Sequence, residues 1–172
     1  MEIEKSFEKI RSVTGTVSFP FLVVDILEQK LYMADKGGVV RTYPVSTSRN
    51  GIGNKEDSLK TPAGVHRICE KYGHNAPMGR IFRDRIDSGE DWPIDKPGDN
   101  LILSRILRLE GLEPGVNKGP GIDSFERYIY IHGTGNEGRI GSPWSNGCVC
   151  MKNRDVVELF DLIKEGAIVL IN

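Results

Sequence analysis

Tyr128-Ile129-Tyr130-Ile131-His132-Gly133-Thr134, followed by Ser145-Asn146-Gly147-Cys148-Val149-Cys150-Met151, is the stretch that decides how this chain is read. The first part alternates apolar and polar side chains and predicts a strand over Tyr128–His132. A period of two puts Ile129 and Ile131 on one face, and Tyr128, Tyr130 and His132 on the other. The second part is a tight polar turn that ends on a thiol. Serine, asparagine and glycine crowd Cys148; they pack a core poorly and build a loop well. Residues i and i+2 share a face in extended chain, so Cys150 is expected beside Cys148. A helix is predicted from Arg154, capped by Asn153. Its apolar face would be Val156, Val157, Leu159, Phe160 and Ile163, with Gly166 as the stop. Ala167 to Ile171 reads as a closing strand.

Upstream, β-branched and aromatic runs follow one another with short turns between them. Val13–Phe19, Phe21–Val24, Gln29–Met33, Gly38–Val45, Val65–Cys69 and Leu101–Gly111 are all predicted strands. Residues 1–12 read as a short charged helix or arm. Residues 46–60, 71–99 and 112–125 read as loops, the first two long enough to shape a cleft. Thr61-Pro62-Ala63-Gly64 carries a turn signature, with proline presetting φ. The expected architecture is mostly β with one or two short helices, arranged as residues 1–12, an N-terminal arm, and residues 13–172, a single catalytic domain.

Composition narrows the function classes. The chain has 172 residues, 23 basic against 24 acidic side chains and a net charge of −1. No field of one sign exists to draw in nucleic acid, so that partner is not expected. The charged start Met1-Glu2-Ile3-Glu4-Lys5 lacks the apolar core of a secretory signal. Phe19–Leu27, the longest apolar stretch, is broken by Pro20 and Asp25 and is too short to span a bilayer. Three cysteines, Cys69, Cys148 and Cys150, make no disulfide framework. His66, Cys69 and His74 do not match a zinc-ligand spacing, and no metal is expected.

A thiol beside an imidazole is the minimal kit for acyl transfer through a thioester. Free cysteine is only ~3% thiolate at neutral pH, so Cys148 needs His132 as a base or as a stabilising imidazolium. Gly147 lets the backbone approach a reacting carbonyl closely. The N–H groups of Gly147 and Cys148 are then candidate oxyanion donors, held by the loop Ser145-Asn146-Gly147. Tyr130, Arg139 and Trp144 are the side chains assigned to substrate. Trp144 either walls the cleft or packs beneath it.

The compound motif resembles the catalytic domain of the L,D-transpeptidases, the YkuD (ErfK/YbiS/YcfS/YnhG) family. That pattern is H-G-T, about a dozen residues, then S-x-G-C-h-R-M and N-x-D. Here it stands as His132-Gly133-Thr134, Ile140-Gly141, Ser145-Asn146-Gly147-Cys148-Val149-Cys150-Met151, Asn153 and Asp155. The earlier T-P-x-G turn matches Thr61-Pro62-Ala63-Gly64, and a strand into a polar loop matches Tyr43-Pro44-Val45-Ser46-Thr47. The resemblance covers roughly residues 13–172. It implies a β-sandwich-like fold with the cysteine on a loop facing a cleft, and peptidoglycan stem peptides as substrate. By that resemblance Cys148 attacks the third stem residue, a diamino acid, at its L-centre, and releases the terminal D-alanine. His132 serves as base and then acid, and the Gly133 carbonyl orients the imidazole. A second stem's amine resolves the thioester into a 3→3 crosslink; water instead makes a carboxypeptidase. No organic cofactor is implied. The implied location is the periplasm or cell envelope if a signal has been removed, and otherwise the cytoplasm.

Two positions depart from the pattern. Asn146 stands where many relatives carry histidine, and can still donate a hydrogen bond. The family arginine two residues after the nucleophile is Cys150 here, which removes a fixed positive charge beside the thiol. Arg139 or Arg105 are the candidates to replace it. Cys150 reads either as a small buried side chain or as partner in a Cys148–Cys150 disulfide. The latter would be strained, because i and i+2 Cα atoms lie ~6–7 Å apart in a strand. The competing functional readings are a hydrolase on the same scaffold, releasing wall-linked protein or a terminal residue, and a non-catalytic peptidoglycan-binding domain.

Overall fold

The computed structural model describes residues 3–93, 96, 98 and 101–172. Among these, ten strands and two α-helices follow in the order α1 (Ile3–Thr14), β1 (Phe21–Asp25), β2 (Lys30–Asp35), β3 (Gly38–Ser46), β4 (Gly64–Tyr72), β5 (Arg80–Arg83), β6 (Ile86–Asp91), β7 (Ile102–Gly111), β8 (Tyr130–Gly133), β9 (Val149–Met151), α2 (Asn153–Leu162) and β10 (Ile168–Ile171). The sheet runs β4-β10-β1-β2-β3-β9-β8-β7-β5-β6, and a further β4–β7 pairing closes eight of these strands into a ring. The fold is thus a barrel-like β-sandwich, with β5 and β6 left as a hairpin on the edge of β7.

Alternation along each strand divides the apolar residues between two faces. Leu22, Val24, Leu31, Val45, Leu107, Leu109, Ile131, Val149 and Met151 join Val156, Leu159 and Phe160 of α2 in the main core. Phe21, Val23, Val65, Ile168 and Leu170 turn the other way and are covered by α1 through Ile10 and Phe7. Burial of side chains this size stabilises by about 1.5–3 kcal/mol each before conformational entropy is counted.

The strand predicted for Val13–Phe19 does not form. Val13 and Thr14 end α1, and residues 15–20 are irregular. Ile3, Phe7, Ile10 and Val13 recur at helical spacing and pack on one cluster. That period outweighs the β-branched local composition. Gly15, at φ +74°, ends the helix by donating its N–H to the Arg11 carbonyl at 2.9 Å.

Residues 71–99 are not one irregular loop. β4 extends to Tyr72, and β5 and β6 form a hairpin over Arg80–Asp91. Its two central residues, Asp84 and Arg85, both take left-handed φ (+48° and +69°). Such a turn normally announces itself with Asn-Gly, which is missing here. Cross-strand ion pairs Arg80–Asp87, Arg80–Asp91 and Arg83–Glu90 tie the hairpin. Positions 94, 95, 97, 99 and 100 lie outside the described residues, as do Met1 and Glu2.

Candidate active site

β8 and β9 lie parallel and adjacent, in the register Ile131↔Val149, His132↔Cys150 and Gly133↔Met151. Ile131, Val149 and Met151 enter the main core. The alternate set, Tyr130, His132, Cys148 and Cys150, therefore shares the opposite face. On that face Cys148 packs against Phe82, Ile106 and Tyr130. The strand begins at Tyr130 rather than Tyr128, whose φ is +53° and which is 51% exposed. The Tyr128 carbonyl, turned inward by that conformation, accepts the Cys148 thiol at 3.7 Å.

His132 is buried, and its Nδ1 lies 2.8 Å from the Gly133 carbonyl. A carbonyl only accepts, so Nδ1 carries the proton and Nε2 presents a lone pair. Burial pulls the imidazole down to about 4, so the ring is neutral at pH 7. The sulfur facing Nε2 is that of Cys150, at 3.8 Å. Among the described residues no hydrogen bond joins Cys148 to His132. Cys150 is fully buried, whereas Cys148 is partly exposed. All three cysteines are free thiols. Burial pushes Cys148 up to about 11, opposed by the backbone at Tyr130 and by the charge of Arg127.

The loop before Cys148 is held by its own side chains. Ser145 Oγ donates to the Cys148 carbonyl at 2.6 Å and accepts the Gly147 N–H at 3.3 Å. The Gly147 N–H is thus turned into the loop. Gly147 itself sits at φ +128°, a conformation L side chains rarely adopt. Asn146 is exposed and lines a groove with Asp57, Leu59, Arg127, Tyr128 and Ile129. Trp144 is buried, its ring beneath the Arg139 guanidinium at 5.4 Å, and its indole N–H has no partner among the described residues. Arg139 is exposed on a 3-10 turn at Glu137–Arg139. Arg105 is buried at the other end, donating to the Ala76 and Ser104 carbonyls at 2.8 and 2.7 Å. Neither arginine makes a described contact with Cys148 or His132.

Gly133 must be glycine for a packing reason. A Cβ there would lie 2.4 Å from Asn153 Oδ1 and 2.7 Å from the Leu103 carbonyl. Asn153 is not the helix cap the sequence predicts. The cap position is Lys152, which makes no side-chain bond, and the helix N-terminus is met by Glu137 Oε1, 2.7 Å from the Asn153 N–H. A carboxylate at that end also suits the helix dipole. The Asn153 amide is freed to donate to the Thr134 carbonyl and to accept from Ser104 Oγ at 2.6 Å. It ties the His-Gly-Thr segment to a bulge in β7, where Ser104 has φ +67°.

Arg127 and Arg85 stand at the site without any motif in the sequence to mark them. Arg127 donates to the carbonyls of Gly53, Asn54 and Lys60, binding the 46–60 loop to the site. Arg85 donates to Tyr130 Oη at 2.8 Å. Both stand in loop or turn sequence without periodicity, and no local signal marks them. The metal candidates do not converge. His66 bonds the Gly64 carbonyl and Ser124 Oγ, Cys69 the Arg108 carbonyl, and His74 stands edge-on to Phe160.

Residues 20–171 match the L,D-transpeptidase catalytic domain family, YkuD. This chain belongs to that family. The Bacillus subtilis protein YqjB, named as an L,D-transpeptidase, is 29% identical over 88% of this chain and 70% of its own length. The Bacillus subtilis L,D-transpeptidase YkuD is 48% identical over 47 residues, 27% of this chain and 29% of that protein. Solved structures share the fold. An L,D-transpeptidase from Mycobacterium smegmatis aligns with TM-score 0.55 at 16% identity, over 89% of this chain and 58% of that one. L,D-transpeptidase 3 of Mycobacterium tuberculosis, carrying a faropenem-derived adduct, aligns with TM-score 0.56 at 16% identity, over 89% of this chain and 60% of that one. This chain therefore spans about three-fifths of the length of those two solved relatives. Among the described residues, no helix is long and apolar enough to cross a membrane.

Proposed function

We propose that this protein is an L,D-transpeptidase that joins peptidoglycan stem peptides through a thioester on Cys148. The observation that carries the reading is the fixed tautomer of His132. Its Nδ1–H is spent on the Gly133 carbonyl, and its bare Nε2 faces the two-cysteine side of β9. Of the two thiols on that face, Cys150 lies 3.8 Å from Nε2 but is fully buried. Cys148 is partly exposed, and is the nucleophile.

The resting pair is neutral: burial holds the imidazole low and the thiol high. Attack and proton transfer are then coupled. As the Cys148 sulfur bonds the L-centre carbonyl of the diamino acid, its proton leaves for Nε2, and the carbonyl electrons move to oxygen. The Cys148 N–H is the donor assigned to that oxyanion, because the Gly147 N–H is engaged by Ser145. Collapse breaks the amide bond, and His132 gives its proton to the departing D-alanine amine. An amine of a second stem then attacks the thioester, regenerating the thiol and leaving a 3→3 crosslink. Asn146 and Tyr130 line the approach, while Arg139 and Trp144 brace the loop from behind. No cofactor takes part. Residues 13–172 are proposed as the catalytic unit, with the N-terminal segment packed against it. Such a substrate places the enzyme in the cell envelope.

Incubation with disaccharide-tetrapeptide, read by mass, tests this. Crosslinked dimers are expected from the wild type, no product from Cys148→Ala or His132→Ala, and retained product from Cys150→Ala. Tripeptide without dimers would move the reading to a carboxypeptidase. Loss of product in Cys150→Ala with retention in Cys148→Ala would reverse the choice of nucleophile.

A further inference from the structure

We infer that Arg85, at the tip of the β5–β6 hairpin, binds a carboxylate of the substrate and selects stems whose diamino acid carries a free second carboxyl group. This rests on the transpeptidase reading of the same site. Arg127 is the cation whose charge acts on Cys148; Arg85 joins the same face through Tyr130.

Two independent contacts lead from Arg85 to Cys148. Its Nη1 donates to Tyr130 Oη at 2.8 Å, and Tyr130 packs with Cys148 in one cluster. Its guanidinium also lies 5.1 Å from the centroid of the Tyr128 ring, and the Tyr128 carbonyl accepts the Cys148 thiol. The Arg85 side chain reaches from the turn to Tyr130 on β8. The ion pairs of Arg80 and Arg83 stiffen the strands on either side.

Arg85 has no carboxylate of its own. Arg80, Arg83 and Arg108 each pair with an acidic side chain, and among the described residues Arg85 pairs with none. Glu70, the acidic group whose field it feels, is engaged by Tyr72 Oη and Arg108 Nη1 at 2.8 and 2.9 Å. A partly exposed guanidinium, held by one phenol and resting on another ring, keeps several N–H donors free. Its planar fork matches a carboxylate. The guanidinium holds the phenol end of Tyr130, so an anion bound there is set back from the backbone of β8 by the length of that side chain. The second carboxylate of a diamino acid, at the far end of its side chain, meets that distance. The carboxylate of the leaving D-alanine lies closer to the scissile bond.

Three synthetic tetrapeptides test the assignment: one with both carboxylates free, one amidated at the diamino acid side chain, and one amidated at the terminal D-alanine. For the wild type, kcat/KM is expected to fall ten- to hundred-fold on side-chain amidation, the range for loss of a charge-assisted hydrogen bond. Arg85→Ala should lose that discrimination, its kcat/KM values on the free-acid and side-chain-amidated substrates converging. A thermal melt of the variant reports an intact fold. Arg85→Lys should keep part of the preference, and Arg83→Ala all of it. Undiminished preference in Arg85→Ala overturns the inference and leaves the transpeptidase reading intact. A preference that follows the terminal carboxylate overturns it too. Absence of product and thioester from all three substrates with wild-type enzyme overturns both.

Discussion

The reactivity of Cys148 towards a small alkylating agent reports directly on the neutral resting pair. With the thiol held at about 11, the thiolate fraction at pH 7 is roughly 300-fold below that of a free cysteine at ~8.5. A more basic thiolate is the stronger nucleophile, and a Brønsted slope of about 0.45 returns roughly tenfold of that loss. The net expectation is alkylation about twentyfold slower than a model thiol at pH 7, rising with pH through 9 without a plateau. The assay is iodoacetamide labelling between pH 5 and 10, followed by intact mass. Peptide mapping separates Cys148 from Cys69 and from buried Cys150. His132→Ala should leave the profile's shape unchanged, since no imidazolium supports the thiolate at rest. A plateau with a midpoint below about 7, abolished in His132→Ala, is the signature of a standing thiolate–imidazolium pair. That result would refute the coupled proton transfer derived from burial of both groups.

Acid should destabilise the fold through its two buried imidazoles. His66 and His132 are both drawn down to about 4 by burial, so the unfolded chain binds more protons below ~6.5. Stability is then complete above ~6.5 and lost as pH falls towards 4, by about 3 kcal/mol for each ring; urea midpoints from pH 7.5 to 4.5 measure it, and a flat profile contradicts it. Gly133→Ala should cost about 2–4 kcal/mol, because its new Cβ meets Asn153 Oδ1 and the Leu103 carbonyl, both anchored; equilibrium unfolding that shows less than 0.5 kcal/mol places the clash wrongly. Glu137→Ala should cost about 1–2 kcal/mol, the range for a lost helix cap, and thermal melts of this variant beside Lys152→Ala, which should be near neutral, decide between the two capping assignments.

Much of the architecture was legible in local pattern. The alternation through Ile129–His132 placed Tyr130 and His132 on one face, and β8 keeps that alternation. The closing strand and second helix followed from a short apolar run and a 3.6-residue period. Val13–Phe19 misled because β-branched composition was weighed above the helical recurrence of Ile3, Phe7, Ile10 and Val13, whose packing partners lie far along the chain. The hairpin escaped because its turn uses Asp84 and Arg85 in place of glycine, and its strands are stabilised by ion pairs rather than apolar alternation.

Residue type and period encode which way a side chain points within its own element, which made the mostly β class legible; the family and the sandwich were legible through the resemblance of the motif around His132 and Cys148. Contacts between elements depend on the path of the backbone through space. The parallel register of β8 and β9 put Cys150 rather than Cys148 against Nε2. The bulge at Ser104 turned Asn153 from a cap into a tie, and left Glu137, 16 residues earlier, to meet the helix. The turn of a charged hairpin carried Arg85 across 45 positions to Tyr130. None of these partners is near in sequence, so no local preference could select them; packing and electrostatics in the closed sheet did.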